Sequence, residues 1–524
     1  MAEICWDQIA QRFTFLNLFI VLVILVLLNF SRQIVYYRFF HPLKEFPGPF
    51  WWGVTRIPLA WSSFWGKEIQ RETELVKKYG NIVRISPTML LISTAKTLPL
   101  VYHRTARKTP HYTLFSFGPE RTVFHMWEHS DYADRAKIVA GIYSSRAHMR
   151  STEETMDRHL VEWIEKLKSF AELGKVFDVG EWVQFYTSDT ILELAFGDQF
   201  QLGYVEKGKD VLGISHGFKS ALPFYGMVCR LYPFFTWLNT TLVGRFFEWF
   251  MLHGDFQIGN MTRYVDKCMK ARLAEMKEGG AEKRNDMLQS FIDARTSQGT
   301  SLSYETLRGE VQIVVMAGAD NTTAAICTTL YHILESPIAL SRVLRELAIA
   351  RDAGIFGERL HYADIVKHCP FYVACVRESL RLNPSLPSII PRYSTSDIDH
   401  PLVIDGRIIP PETEVASNPW ITQRDPDVYG ADAEEWKPER WLNAENAALF
   451  EKYNFTFGYG SRLCLGRQLG MMSVVKTPLM FLQNFDARLD KGRGEPRLSV
   501  RADFSYWENF QLRIAERSLV EVNK

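Results

Sequence analysis

Ten residues near the C-terminal end, Phe457-Gly458-Tyr459-Gly460-Ser461-Arg462-Leu463-Cys464-Leu465-Gly466, gather a reactive thiol, an arginine and three glycines. A cysteine thiolate is both a nucleophile and a soft metal ligand. The run that follows, LGRQLGMMSVVKTPLMFLQNF, reads as a helix, and a helix N-terminus favours an anion just ahead of it. Gly458 and Gly460 permit a tight loop and close approach to a flat ligand, while Arg462 offers a planar cationic fork for a carboxylate. A dinucleotide fingerprint is the first rival, since Gly458-x-Gly460 opens one. Leu463 occupies its third glycine position and no βαβ unit surrounds it, so that reading fails. A buried cysteine behind a Gly-rich turn stays open.

Two further groupings carry charge where charge is costly. Glu378 and Arg381, in Glu378-Ser379-Leu380-Arg381, share a helix face and can pair. Alone, such a pair on a solvated helix contributes little, but Trp436-Lys437-Pro438-Glu439-Arg440-Trp441 supplies another cation farther along. Ala317-Gly318-Ala319-Asp320-Asn321-Thr322 interrupts an apolar helical stretch running from about Thr306 to Ser336. A glycine and a carboxylate there are unfavourable without a purpose. Ala317 and Asn321 share a face, whereas Thr322 is turned by about 100°. Asn321 can both donate and accept, so it can hold a water.

These groups need a large scaffold, and 524 residues with 47% hydrophobic content can build one. Lys and Arg number 61 against 60 Asp and Glu, and no basic stripe is visible, which excludes nucleic acid as a partner. Cys5, Cys229, Cys268, Cys327, Cys369, Cys375 and Cys464 are odd in number and contain no C-x-x-C pair. That argues against a disulfide framework or zinc knuckle and for a reducing compartment.

Phe13 to Phe30 carries no charge and is long enough to span a bilayer. A signal peptide would have a shorter apolar region and a small-residue cleavage site. The reading is therefore a lumenal segment 1–12, a transmembrane anchor 13–31, a Pro-rich hinge 32–50 and a body 51–524. Arg32, Arg38 and Lys44 follow the span, which places the body on the cytoplasmic side. The centre is patterned for helices, with Ser151–Lys168 amphipathic and Phe218–Phe250 aromatic and broken at Pro223 and Pro233. Strand signals are confined to Ile82–Ile92 and Leu402–Val415.

Phe457, Gly460, Arg462, Cys464 and Gly466 fill every fixed position of F-x-x-G-x-R-x-C-x-G. The chain thus resembles the cytochrome P-450 family, and its HPL…PGP hinge resembles fungal microsomal members. The resemblance implies a mostly α fold with a small β-rich lobe and one N-terminal transmembrane helix. It implies haem b with Cys464 as axial ligand, and Phe457, Gly460, Arg462, Gly466 and Arg392 (in Pro391-Arg392) at the cofactor. Glu378, Arg381 and Arg440 would form a buried structural network. Asp320, Asn321 and Thr322 would manage protons, although Asn321 stands where the family has an alcohol. Ala317, Ala319, Ile389 and Ile390 would face substrate, or pack the core. In the early helix, Tyr143-Ser144 aligns but Ala136 replaces an expected basic residue, leaving Arg135 or Lys137 to substitute.

The implied activity is a monooxygenase placing one oxygen atom of O2 into an apolar terpenoid, polyketide or alkaloid intermediate. Tyr112, Phe115 and Phe117, with Phe224 and Tyr225, suggest its pocket. Electrons would come from NADPH through a separate FAD/FMN reductase, with a cytochrome b-type protein as a further donor, at the endoplasmic reticulum membrane. The alternatives are a haem-thiolate isomerase, dehydratase or peroxide-driven enzyme, and a non-catalytic haem sensor or scaffold.

Overall fold

The computed structural model describes residues 2–115, 120–144, 146–246, 257–278, 284–296, 298–395, 397 and 399–517. Side chains are described from residue 17 on, except at 113–115, 146–148 and 257–258. Phe117 and Phe250 lie outside these residues, as does the Phe115 side chain.

Helix α1 (Ala2–Val35) contains the apolar stretch, and from Asn17 to Phe40 none of it is buried against protein. The hinge is held rather than loose. Arg84 donates to the carbonyls of Tyr37 (3.1 Å), Leu43 (3.2 Å) and Pro87 (2.7 Å), and Leu43 is buried. Helices α2 (Ile57–Phe64) and α3 (Glu68–Tyr79) then lead into β1 (Ile82–Arg84) and β2 (Met89–Ile92). With β3 (Arg392–Tyr393) and β4 (Glu414–Ala416), these strands make a four-stranded sheet in the order β1-β2-β4-β3, in which β2 and β4 run parallel. The Ile82–Ile92 signal falls in this sheet, whereas the Leu402–Val415 signal divides between it and a separate hairpin of Val403–Ile404 with Arg407–Ile408, and the strands Phe485–Leu489, Arg497–Arg501, Phe504–Glu508 and Gln511–Glu516 carried no signal.

The helical body follows in chain order as α4 (His129–Ser144), α5 (Arg146–Glu172), α6 (Val179–Phe196), α7 (Ile214–Arg230), α8 (Tyr232–Leu238) and α9 (Gln257–Lys277). It continues with α10 (Tyr304–Glu335), α11 (Pro370–Leu382) and α12 (Arg467–Asn484). Ser303 caps α10, accepting from the Thr306 amide. Helix α10 is apolar and long enough to pass for a membrane span, yet it is largely buried and packs against α6, α11 and α12. It is the core helix, and its polar groups are explained by the interior rather than by lipid.

One expectation changes. Pro223 lies inside α7 without ending it; among the described residues the aromatic stretch breaks at Leu231, ahead of Pro233, and again at 239–241. Pro233 sits in the first turn of α8, where a missing N–H leaves no hydrogen bond unmade.

Candidate active site

The cysteine loop is shaped by backbone contacts. Gly458 and Gly460 adopt φ of 79° and 67°, and a Cβ on Gly460 would lie 2.0 Å from the Tyr102 carbonyl oxygen. Both demands require glycine. The Cys464 amide donates to the Phe457 carbonyl at 2.9 Å, closing the loop ahead of α12. Cys229, Cys268, Cys327, Cys369 and Cys375 are buried, whereas Cys464 is accessible although protein surrounds it. Its surface therefore faces interior space. Burial raises the Cys464 thiol above its ordinary value, outweighing the Gly466 N–H and Arg467. The helix terminus alone does not make a thiolate, and a bound cation has to supply the difference.

Beside this loop three cations converge. Arg392 donates to the Tyr112 hydroxyl (2.7 Å) and the Pro391 carbonyl (2.9 Å). Arg462 donates to the carbonyls of Met126, Trp127 and Glu128 at 2.9, 3.1 and 3.0 Å, and lies 3.6 Å from the Tyr132 ring centroid. Lys108 is buried, donates to the Phe124 carbonyl (2.6 Å) and sits 4.3 Å from the ring centroids of both Tyr112 and Phe124. Burial first, then Arg392 and Arg462, holds Lys108 well below the ordinary lysine range. Burial first, then the Arg392 charge, brings Arg462 down to about 10. Among the described residues no carboxylate makes an ion pair with any of the three. The Arg462 Nε and Trp127 Nε1 are buried without a partner. Such a cluster is unfavourable unless anionic groups join it. The two carboxylates of a haem fit that requirement, as the Cys464 sulfur fits its iron.

The substitutes considered for Ala136 are engaged elsewhere. Arg135 pairs with Glu310 (3.6 Å), and Lys137 pairs with Asp134 on the surface. Lys108 was missed. Its signal, a lysine four residues ahead of Tyr112 in an aromatic segment, is weak, and only tertiary packing brings it to Arg392.

Helix α10 runs unbroken through residues 317–322. Ala317 is exposed, Asn321 and Thr322 are half-buried, and Ala319 and Asp320 are buried. Asn321 donates from Nδ2 to the Ala317 carbonyl (3.3 Å), and its buried Oδ1 has no partner. Asp320 accepts from the Tyr506 hydroxyl at 3.1 Å, and burial raises its carboxyl. Ala317 and Ala319 are turned about 200° apart, so they do not line one surface. Ile389 and Ile390 pack into the cores around the sheet. Gly466 precedes α12, and Phe457 packs near Gly470 on it.

Beneath, Arg381 makes a two-bond fork to Glu378, each bond 2.8 Å, and donates to the carbonyls of Gln423, Ala433 and Glu435. Arg440 Nε and Trp441 Nε1 also reach Glu378, at 2.8 and 2.9 Å. Burial opposes the Glu378 charge, but the Arg381 hydrogen bonds and charge win and hold its carboxyl below the ordinary range.

Glu310, on α10, behaves oppositely. Burial raises it from 4.5 to about 7, against the Val123 amide (2.8 Å) and Arg135. The folded protein then keeps a proton that the unfolded chain has released. Its favourable contribution is complete below about pH 4.5 and is lost as pH rises through about 7, a change of at most about 3 kcal/mol. Thermal midpoints at pH 5 and pH 8 test this. Glu310→Gln should lose less stability across that interval than the parent protein.

The relatives accord with this geometry. A family model described as cytochrome P450 matches residues 47–505. Quiannulatic acid synthase of Emericella variicolor is 33% identical over 466 residues, covering 87% of this chain and 89% of that protein. Cytochrome P450 monooxygenase gsfF of Penicillium aethiopicum is 27% identical, covering 87% and 90%. Pisatin demethylase of Fusarium vanettenii is 26% identical, covering 87% and 88%.

Proposed function

This chain belongs to the cytochrome P450 family, and from that premise we propose the part each residue takes in its oxygen insertion. It is a monooxygenase resembling enzymes of fungal secondary metabolism, working with haem on a cysteine thiolate, O2 and electrons from a reductase. When bound, the haem activates O2 and its thiolate ligand favours O–O cleavage. The observation that carries the residue assignments is the trio of buried Lys108, buried Arg392 and half-buried Arg462 beside the Cys464 loop, a cationic cradle that makes no carboxylate ion pair among the described residues.

Cys464 is the iron ligand, and Arg462, Arg392 and Lys108 hold the propionates. Phe457, Gly460 and Gly466 give the loop its form. Glu378, Arg381 and Arg440 brace it and touch no reacting atom. Asp320 takes up and releases a proton at its carboxylate, Asn321 holds a water through its amide, and Thr322 adds a hydroxyl to the helix edge. Ala317 leaves room on the exposed flank of α10.

The segment 13–31 anchors the body 51–524 at the endoplasmic reticulum, with residues 1–12 lumenal and 32–50 as hinge. The basic residues after the span favour a cytoplasmic body. Exposed Trp61 on α2 and Trp65 just after it, and Phe234 and Trp237 on α8, support contact with the interface, since both helices pack on α7. The electron donor is an NADPH-dependent FAD/FMN reductase, with a cytochrome b-type protein as a second donor. The substrate is a terpenoid, polyketide or alkaloid intermediate. Successive oxidations of one carbon would yield a carboxylic acid, the kind of product for which the Emericella relative is named.

Asn321 keeps a second reading in play, an isomerase, dehydratase or peroxide-driven enzyme that needs no donor. Membranes carrying the protein, supplied with NADPH and isotopically labelled O2, separate the two. We expect labelled product only with added reductase, and Asn321→Ala should divert several-fold more NADPH into peroxide and water. Turnover without reductase, or product lacking the label, would establish the second reading.

A further inference from the structure

Two buried acids of this protein are held in opposite ways. Glu378 takes Arg381 and Arg440, each at 2.8 Å, and two fixed cations lock it as an anion. Asp320 is buried too, but among the described residues it makes no ion pair, and its side-chain partner is the Tyr506 hydroxyl at 3.1 Å. Tyr506 is itself buried, and burial followed by the Asp320 charge keeps its phenol well above the ordinary tyrosine range. It therefore stays protonated. A hydroxyl donates to a carboxylate and, by rotating, accepts from a carboxylic acid. It can hold Asp320 in either protonation state, which an arginine cannot, since a guanidinium carries no acceptor.

Tyr506 stands on a hairpin, Arg497–Arg501 paired with Phe504–Glu508, that is pinned on several sides. At its turn Asp503 accepts from Arg230 at 2.6 Å. Arg230, fully buried at the end of α7, also forks onto Glu68 at the start of α3 (2.9 and 2.8 Å). Ala502 is buried beside it with a left-handed φ of 51°, a strained state that persists only where the surroundings over-determine it. Ser505 donates from its amide to the Ser385 carbonyl and from its hydroxyl to the Pro384 carbonyl, both at 2.9 Å. Trp507 donates to Thr328, farther along α10, at 2.9 Å. We propose that Tyr506 is the positioning residue for Asp320, and that the hairpin, pinned through Asp503 to Arg230, fixes the two against each other. The proposal rests on the role given to Asp320 above, and Tyr506 itself gains and loses no proton. Around the pair, Lys219 and Asp210 act on Asp320, Arg501 acts on Tyr506, and Tyr204 feels the Asp320 charge. Lys219 also lies 5.1 Å from the Tyr506 ring centroid. Burial, the largest influence, raises the Asp320 carboxyl, and Lys219 and then the Tyr506 hydrogen bond pull it back down. Removing the phenol oxygen thus raises it further.

The test uses the full-length holoenzyme with its reductase and follows kcat and KM against pH in the parent, Tyr506→Phe, Asp503→Asn and Asp320→Asn. Asp320→Asn identifies the limb of the kcat profile that belongs to the carboxyl, because it abolishes that limb. In Tyr506→Phe the limb should move to higher pH by about half a unit to one unit, the effect of one hydrogen bond to a carboxylate. At neutral pH kcat should fall about three- to tenfold with KM within about twofold, the split expected when a group acts through another and not on substrate. The haem spectrum and the substrate-induced spectral change should be kept. Asp503→Asn, which touches neither Tyr506 nor Asp320, should move the same limb the same way by less. Added to Tyr506→Phe it should move the limb no further, because both act through one contact. A limb that stays in place in Tyr506→Phe, with only the thermal midpoint lowered, makes Tyr506 a packing residue and overturns the proposal. An unmoved limb in Asp503→Asn overturns it as well, so the test stands even where Tyr506→Phe loads no haem. An unchanged profile in Asp320→Asn would instead sink the role given to Asp320, and turnover without reductase would sink the monooxygenase reading.

Discussion

With Cys464 replaced by alanine, the reduced, carbon-monoxide-bound protein should lose its far-red-shifted Soret band, and product formation should fall at least about a thousandfold, or about 4 kcal/mol. The structure makes this a clean experiment. The loop is held by the amide bond from Cys464 to the Phe457 carbonyl and by Gly460 against Tyr102, neither of which uses the sulfur. Alanine therefore preserves the loop and removes only the ligand. An unchanged thermal midpoint before haem loading, with the band gone after it, is the expected pair of results. An imidazole-like spectrum shared by variant and parent would overturn the assignment of Cys464.

The second large effect is on stability. Glu378 is fully buried and receives Arg381, Arg440, Trp441 and the Lys437 amide together. Glu378→Gln removes the charge while two guanidinium groups stay buried, and breaking a buried pair in this way costs about 3–5 kcal/mol. We expect a denaturation midpoint far below the parent's and little haem-loaded protein. Arg381→Lys should not substitute well, because a single ammonium cannot reproduce the fork to Glu378 and the three carbonyl bonds at once. The pH sense follows from the lowered carboxyl of Glu378. Its contribution is present above the ordinary carboxylate range and is lost as pH falls through the folded value. The parent should thus lose stability in acid that Glu378→Gln has already lost. Cys464→Ala is the natural control, since it should abolish activity without lowering the midpoint.

The chemistry was readable because its parts are local. A five-position loop pattern, an i, i+3 Glu–Arg pair and a proline-rich hinge are short-range features, and each survives as a string of letters. Helix α10 was legible for the same reason, as was the separation of Thr322 from Asn321, which needs only helical geometry. The break at Pro223 was misjudged because a proline's cost depends on what surrounds the helix, and α7 is held by its neighbours along its length.

Primary structure alone thus determined the loop cysteine, the apolar N-terminal stretch, the acid within an apolar helix and the family resemblance, all of them set by residue type and near spacing. Tertiary structure decided which cations meet. Lys108 reaches Arg392 and Arg462 across hundreds of residues, while Arg135, nearer the expected position, is taken by Glu310. It also decided that Ile389 and Ile390 pack the sheet core and that Tyr506 reaches Asp320. The reason is physical: burial and long-range electrostatics are properties of the packed chain, and no local spacing encodes them.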